Sequence, residues 1–416
     1  MNQSILSYKS QGKAWVYLPD INTLSLYLEH NDLIQLSSIC KNYRFQLKPL
    51  ALRKLIVDDI RYILPDFDFG LPENHHVFKI MINQLKTDLH GSYSFVKEVV
   101  FEEGFSNEFA KEFFKLFPKI SKISIFRICG EYSLKNIIKI LYNHSYLRHA
   151  ALECYSTNYK PRDADLIWRF FHKLKTIRLE VASEVVDNEL PLGVIDSSFS
   201  NLQSLSVVNN RMLNNISNGL SSLVHAELNP EYDFENEILI KFIYNSHKLK
   251  KLSISTKQMN QSVINSILRS KGIKHLSIQP CSGFSSIELN NLYKNKSIKR
   301  LTIESSNYEF NPIKILEACQ SIETLELVDF SDSLFWHTNW NSYTGKLSSI
   351  IFNSLVRSSM LSFIPIITNV NEIKFIKGYN FSTFSKYFES IDCEHWVPKQ
   401  EYQSDTNEFT LINRSN

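Results

Sequence analysis

Apolar residues recur along this chain in a six-residue figure, apolar-x-x-apolar-x-apolar. It appears first as Val96-Val99-Phe101 and last as Val370-Ile373-Phe375, twelve times in all. The first residues of successive matches are separated by 24, 27, 27, 28, 21, 26, 24, 25, 24, 25 and 23 residues. A step so regular marks an internal repeat, which has to be recognised before any local motif is read. The last two apolar positions of each figure lie two apart, so on a strand they share one side. The segments before several strands carry apolar residues at i, i+3 and i+4, as in Glu237–Asn245, Val263–Leu268 and Leu134–Tyr142, which predicts helices there. One strand–helix unit cannot bury its apolar side alone, whereas stacked units share a continuous core. The expected fold class is therefore α/β: a solenoid with a curved parallel sheet inside and helices outside, shaped as a horseshoe or arc.

Lines such as "ILEACQSIETLELVDF" (315–330) and "LNNLYKNKSIKRLTIES" (289–305) resemble the leucine-rich repeats of the ribonuclease-inhibitor-like class. The resemblance covers roughly residues 96–376, and Leu52-Leu55-Val57 reads as an N-terminal capping unit. The family's usual Asn or Cys after the strand is mostly missing. The organisation expected is a tail (1–17), a helical module (18–56), a linker and capping region (57–95), the solenoid (96–390) and a C-terminal tail or cap (391–416).

Residues 18–56 carry a second signal. Leu33, Leu36, Ile39 and Cys40 fall at helical spacing, Asn31 or Asp32 suits an N-cap, and Pro49 ends that helix or opens the next element. A module this small cannot cover such a face by itself, so either the first repeat or another protein must do so. Leu18-Pro19, Leu28, Asp32-Leu33, Leu36, Ile39-Cys40 and Tyr43 are similar to an F-box, and the whole chain resembles a fungal or protist F-box protein with C-terminal leucine-rich repeats. That resemblance implies docking of the small adaptor subunit of an SCF-type ubiquitin ligase through Leu18, Pro19, Leu28, Leu33, Leu36, Ile39, Cys40 and Tyr43. It also implies a protein substrate held by the repeats. The alternative is a non-ligase interaction scaffold in which residues 18–56 only cap the solenoid.

Between the inward positions, each strand presents residues to the concave face. Arg178, Glu227, Lys251, Ser253, His275, Ser277, Arg300, Thr302 and Glu326 are the candidate partner-binding residues there. Over all twelve strands this face carries mixed charge, eight carboxylates and five Lys or Arg, which suits a protein or peptide partner better than a phosphate backbone. Trp336 and Trp340, in the aromatic stretch Phe330–Lys346, are a further candidate anchor.

Chemistry is sparse. The eleven glycines never fall closer than Gly272 and Gly283, which excludes a Gly-x-Gly-x-x-Gly or P-loop fingerprint. No His-Glu-x-x-His, Gly-x-Ser-x-Gly or Cys-x-x-Cys occurs. Cys393-Glu394-His395 is the nearest approach to a cluster, and neighbours along one strand rarely converge on one ion. The expectation is no catalysis, no cofactor and no metal. Net charge is +3, too balanced to call for a nucleic-acid or membrane partner. Six scattered cysteines and a polar N-terminus place the expected location in the cytoplasm, the nucleus or both.

Overall fold

The computed structural model describes residues 21, 23, 28, 30–57, 75–102, 107–128, 134–154, 164–181, 194–281, 289–304, 313–329, 346–353, 370–376, 396–398 and 408–413. The chain forms two compact units, Met1–Tyr132 with Lys139–His149, and Ser133–Ile138 with Ala150–Asn416.

The first unit begins with two helices, α1 (His30–Ile39) and α2 (Lys41–Ala51). Cys40 separates them because its backbone is extended, at φ −152° and ψ 164°, and its Sγ accepts the Tyr43 amide at 3.4 Å. The thiol thus acts as the N-cap of α2. Pro49 lies inside the last turn of α2 and does not terminate it; the helix runs on to Ala51. A proline near a helix end removes one backbone donor and leaves the remaining turn intact. Strand β1 (Lys54–Val57) follows directly and pairs in parallel with β2 (Glu98–Phe101), which pairs in parallel with β3 (Lys122–Ile128). Helices α3 (His75–Asp88) and α4 (Asn107–Leu116) belong to this unit. Phenylalanines 109 and 113, one turn apart, place α4 against the sheet. Phe113 meets Phe101 of β2 edge-on at 5.2 Å, and Phe117 at 4.7 Å. Such ring pairs add to the area they bury.

Helix α5 (Leu134–Leu141) and strand β4 (His149–Cys154) have residues in both units. The second unit continues with α6 (Ala164–His172), β5 (Thr176–Val181), β6 (Ser204–Val207), α7 (Asn210–Ile216), β7 (His225–Leu228), α8 (Asn236–Asn245), β8 (Lys251–Ser255) and α9 (Gln261–Arg269). It is completed by β9 (His275–Gln279), β10 (Arg300–Glu304), α10 (Ile313–Ala318), β11 (Thr324–Val328), β12 (Leu347–Asn353), β13 (Val370–Ile376), β14 (Trp396–Pro398) and β15 (Glu408–Asn413).

From β5 to β13 every strand pairs in parallel with its successor in sequence. The register aligns the repeat figure with itself: Ala226 faces Leu252, Leu252 faces Leu276, Leu276 faces Leu301 and Leu301 faces Leu325. All thirty-six apolar positions of the twelve figures are at most 4% exposed. Parallel strands at this step, with their apolar figure in register and helices between them, make the fold an α/β leucine-rich-repeat solenoid. The C-terminal segment supplies a cap. Strand β15 pairs antiparallel with β13, and β14 with β15. Trp396 and Leu411 are buried there.

Asparagines fix the connections. Asn209 caps α7 by accepting the Met212 amide at 2.9 Å, and Asn260 caps α9 by accepting from Ser262 and Val263. Between β9 and β10, buried Asn295 ties the chain to the C-terminal end of α9. Its amide donates to the carbonyls of Leu268 and Ser270, and its Oδ1 accepts from Ser297 and Ile298. Gly219, at φ +85°, closes the turn after α7; a Cβ there would stand 2.5 Å from the Asn245 carbonyl oxygen. Only glycine fits that approach.

Candidate functional site

Alternation on the strands of the second unit builds a polar face in columns. The middle column runs Ser206, Glu227, Ser253, Ser277, Thr302, Glu326, Ile351 and Lys374, each facing the next. The column before it runs Ser204, His225, Lys251, His275, Arg300 and Thr324. Neighbouring strands stand about 4.8 Å apart, so each column is a ladder of side chains within reach of one another.

Two clusters form on this face. In one, Arg300 Nη2 meets Glu326 Oε2 at 2.7 Å, Thr302 Oγ1 donates to the same oxygen at 2.9 Å, and His275 Nε2 lies 2.8 Å from Thr302 Oγ1. Burial favours the protonated form of Glu326, but the hydrogen bonds from Arg300 and Thr302 outweigh it and hold the carboxyl below its ordinary value. Burial, then the charges of Lys251 and Arg300, pull His275 down to about 4. Its ring is therefore neutral at physiological pH. Among these residues Glu326 is the anchor, because it satisfies a charge and a hydroxyl together.

In the other cluster, Arg178 Nη2 meets Glu180 at 2.9 Å and Glu227 at 3.8 Å, and Gln279 Nε2 donates to Glu227 at 3.5 Å. Arg178, Glu227 and Gln279, with Lys251, Ser253 and Ser277, line a cavity of about 370 Å³. Glu304 lines it too. Burial first, and then Glu227, Asp329 and Glu326, push its carboxyl above the usual range. The nine concave residues read from the sequence thus lie on one continuous face and divide between these two clusters. Gln279 was missed, although it stands two residues after Ser277 on the same side of β9. Strand alternation is the signal that marks it.

The N-terminal candidates separate. Leu33 is buried with Leu47 and Ala51 in the small core of α1 and α2, and Leu28, Leu36 and Tyr43 pack against it. Ile39 is 67% exposed and Cys40 half-buried, so the residues at helical spacing do not share one environment. Ile34 and Phe45 are also exposed, Phe45 by 81%. The apolar surface offered by the helical pair is hence Ile34, Ile39 and Phe45, and Leu28, Leu33 and Leu36 pack inward. Leu18, Pro19, Trp336 and Trp340 lie outside the described residues. No group of three His, Cys, Asp or Glu residues able to hold a metal ion occurs among the described residues, and none of the described helices is long and apolar enough to cross a membrane.

No family profile and no curated protein matches the chain. Solved structures do resemble it. A chain of the yeast Rad7–Elc1 complex is similar at 13% identity and TM-score 0.36, over 82% of this chain and 96% of that one. The leucine-rich-repeat-containing protein LegL7 from Legionella pneumophila is similar at 10% identity and TM-score 0.35, over 74% and 94%. A chain of the Drosophila Toll–Spatzle complex is similar at 10% identity and TM-score 0.35, over 68% of this chain and 47% of that one. The strand register defines the fold independently of these likenesses.

Proposed function

We propose that this chain is a substrate-recognition subunit of an SCF-type ubiquitin ligase. The N-terminal helical pair docks the small adaptor, the repeats hold a protein substrate, and the chain itself catalyses nothing. The observation that carries the reading is the helical pair's surface. Leu33 is buried with Leu47 and Ala51, and Leu28 and Leu36 pack against them, while Ile39 and Phe45 stand 67% and 81% exposed on the same two helices. Large apolar side chains left uncovered beside a satisfied core are suited to a partner. The polar sheet face, with its paired and unpaired charges, is suited to a protein ligand recognised by complementary contacts. The mechanism is proximity: a bound substrate is presented to an active site on another subunit at raised effective concentration.

The second reading is a repeat scaffold capped by its N-terminal segment. It draws support from β1, which pairs with β2 in parallel, and from the Arg53 carbonyl, which accepts the amides of Lys97 and Glu98. Co-purification with the small SCF adaptor separates the two readings. Wild type should capture the adaptor stoichiometrically, and Ile39→Asp/Phe45→Asp should lose it while melting at an unchanged temperature. Wild-type failure to capture it would leave the scaffold. A substitution at Leu33 is unsuitable for this test, because it would empty the module's own core.

A further inference from the structure

The net charge of +3 conceals a sharp local asymmetry. Between Glu237 and Glu304 the sequence holds twelve Lys and Arg residues and a single carboxylate, Glu288. The fold gathers many of these cations at one edge of the second unit, where the chain enters β8, β9 and β10. Each of those strands is introduced by at least one cation: Lys250-Lys251, Lys274 followed by the neutral His275, and Lys299-Arg300. Backbone hydrogen bonds place the pairs side by side. The Lys274 and His275 amides donate to the Lys250 carbonyl at 2.8 and 2.9 Å, and those of Lys299 and Arg300 donate to the Lys274 carbonyl at 2.8 and 3.1 Å.

The patch is only partly neutralised. Lys299 pairs with Glu323 and Arg300 with Glu326, each at 2.7 Å. Lys250, Lys251 and Lys274 pair with no carboxylate among the described residues, and Lys250 and Lys274 are exposed. The neighbouring imidazoles register the same field. Burial and then Lys251 lower both His225 and His275, with Lys250 acting further on His225 and Arg300 on His275. Lys251 also lines the 370 Å³ cavity, so the edge opens onto the polar face.

We propose that this edge is the docking surface for an acidic segment of the protein partner, a short extended stretch rich in Asp and Glu. The proposal rests on the reading of the repeats as the part that holds a protein, and is independent of adaptor docking. Charge complementarity sets the partner's sign, and the dimensions set its length. The strip is three strands wide, bounded by Val224 before β7 and Glu323 before β11. At about 4.8 Å per strand that span matches roughly four to six extended residues. A nucleic-acid backbone fits less well. Glu227, Glu304 and Glu326 occupy the adjoining columns and would repel a phosphate chain that continued across the face.

The test uses the full-length chain and three fluorescein-labelled probes: a hexapeptide alternating Asp and Glu, the same peptide with Asn and Gln, and dodecathymidylate. The acidic peptide should bind about tenfold more tightly than its amide counterpart, and its affinity should fall several-fold between about 50 and about 200 mM salt. Lys250→Ala/Lys251→Ala/Lys274→Ala should lose about tenfold for that peptide with an unchanged melt. Lys111→Ala/Lys115→Ala on α4, in the other unit, should bind as wild type does. Equal binding of the two peptides, full affinity in the triple variant, or tighter binding of the oligonucleotide at the same lysines would each overturn the proposal. Failure of the wild-type chain to capture the adaptor while it still binds the peptide would remove the ligase reading alone.

Discussion

In β8 to β10 and in the α1–α2 pair, leucines at regular spacing meet different fates. On the strands, Leu252, Leu276 and Leu301 are all buried, each facing its counterpart in the next repeat. On α1, Leu33 is buried, Leu36 is only partly covered, and Ile39 is left in solvent. A strand in a stacked sheet has one side facing the core, and period two leaves no choice of face. A short helix is a cylinder, and a three-to-four spacing marks a stripe without saying which part of it a partner helix will cover. Redundancy widens the gap further: twelve copies of one figure correct one another, while the module occurs once.

The largest effect that separates the two regions is a charge in the shared core. Leu252→Asp, with the side chain fully buried, should cost on the order of 4–5 kcal/mol or more, because an unpaired carboxylate enters a core common to neighbouring repeats. Leu325→Asp should do the same, and a thermal melt unchanged by either substitution would break the register described here. Next comes the contrast within α1. Leu33→Ala should cost roughly 2–3 kcal/mol and Ile39→Ala no more than about 0.5 kcal/mol, measured by denaturant unfolding. Equal costs would mean that the module's core has been misplaced.

Gly219→Ala should lower stability by about 2 kcal/mol, since the residue adopts a positive φ and its Cβ would overlap the Asn245 carbonyl. A neutral outcome would require the turn after α7 to rearrange, which a crystal structure of the variant would show. The smallest effect is the pH response of His275. Its folded pKa, about 4, lies below its unfolded value of about 6.5. The neutral ring is the form the fold accepts, so its contribution is complete above about pH 6.5. It erodes as pH falls and is lost near pH 4, on the order of 1–2 kcal/mol after solvent screening. His275→Gln should flatten that part of the stability profile; an identical slope would assign it to other groups.

The legibility of the fold and of the site follows the same contrast. The repeat boundaries, the three helices tested against Glu237–Asn245, Val263–Leu268 and Leu134–Tyr142, and the polar columns could all be read from periodicity. Pro49 could not be placed, because a proline in a last turn and one just beyond it look alike in sequence. Asn295 as the partner of the α9 C-terminal end was also hidden, since its role depends on carbonyls of Leu268 and Ser270 some twenty-five residues earlier. The basic edge was visible as a run of Lys and Arg. Summing charge over the whole chain concealed it, and only the strand register shows that these lysines and Arg300 stand abreast.

The most direct test of the whole account compares wild type, Ile39→Asp/Phe45→Asp and Lys250→Ala/Lys251→Ala/Lys274→Ala as purified full-length proteins. Each would be titrated with the SCF adaptor and, separately, with the acidic hexapeptide. The account predicts a double dissociation: the first variant loses the adaptor and keeps the peptide, and the second keeps the adaptor and loses the peptide. Loss of both ligands by either variant, or of neither ligand by both, would contradict a division of labour between the N-terminal helices and the repeats.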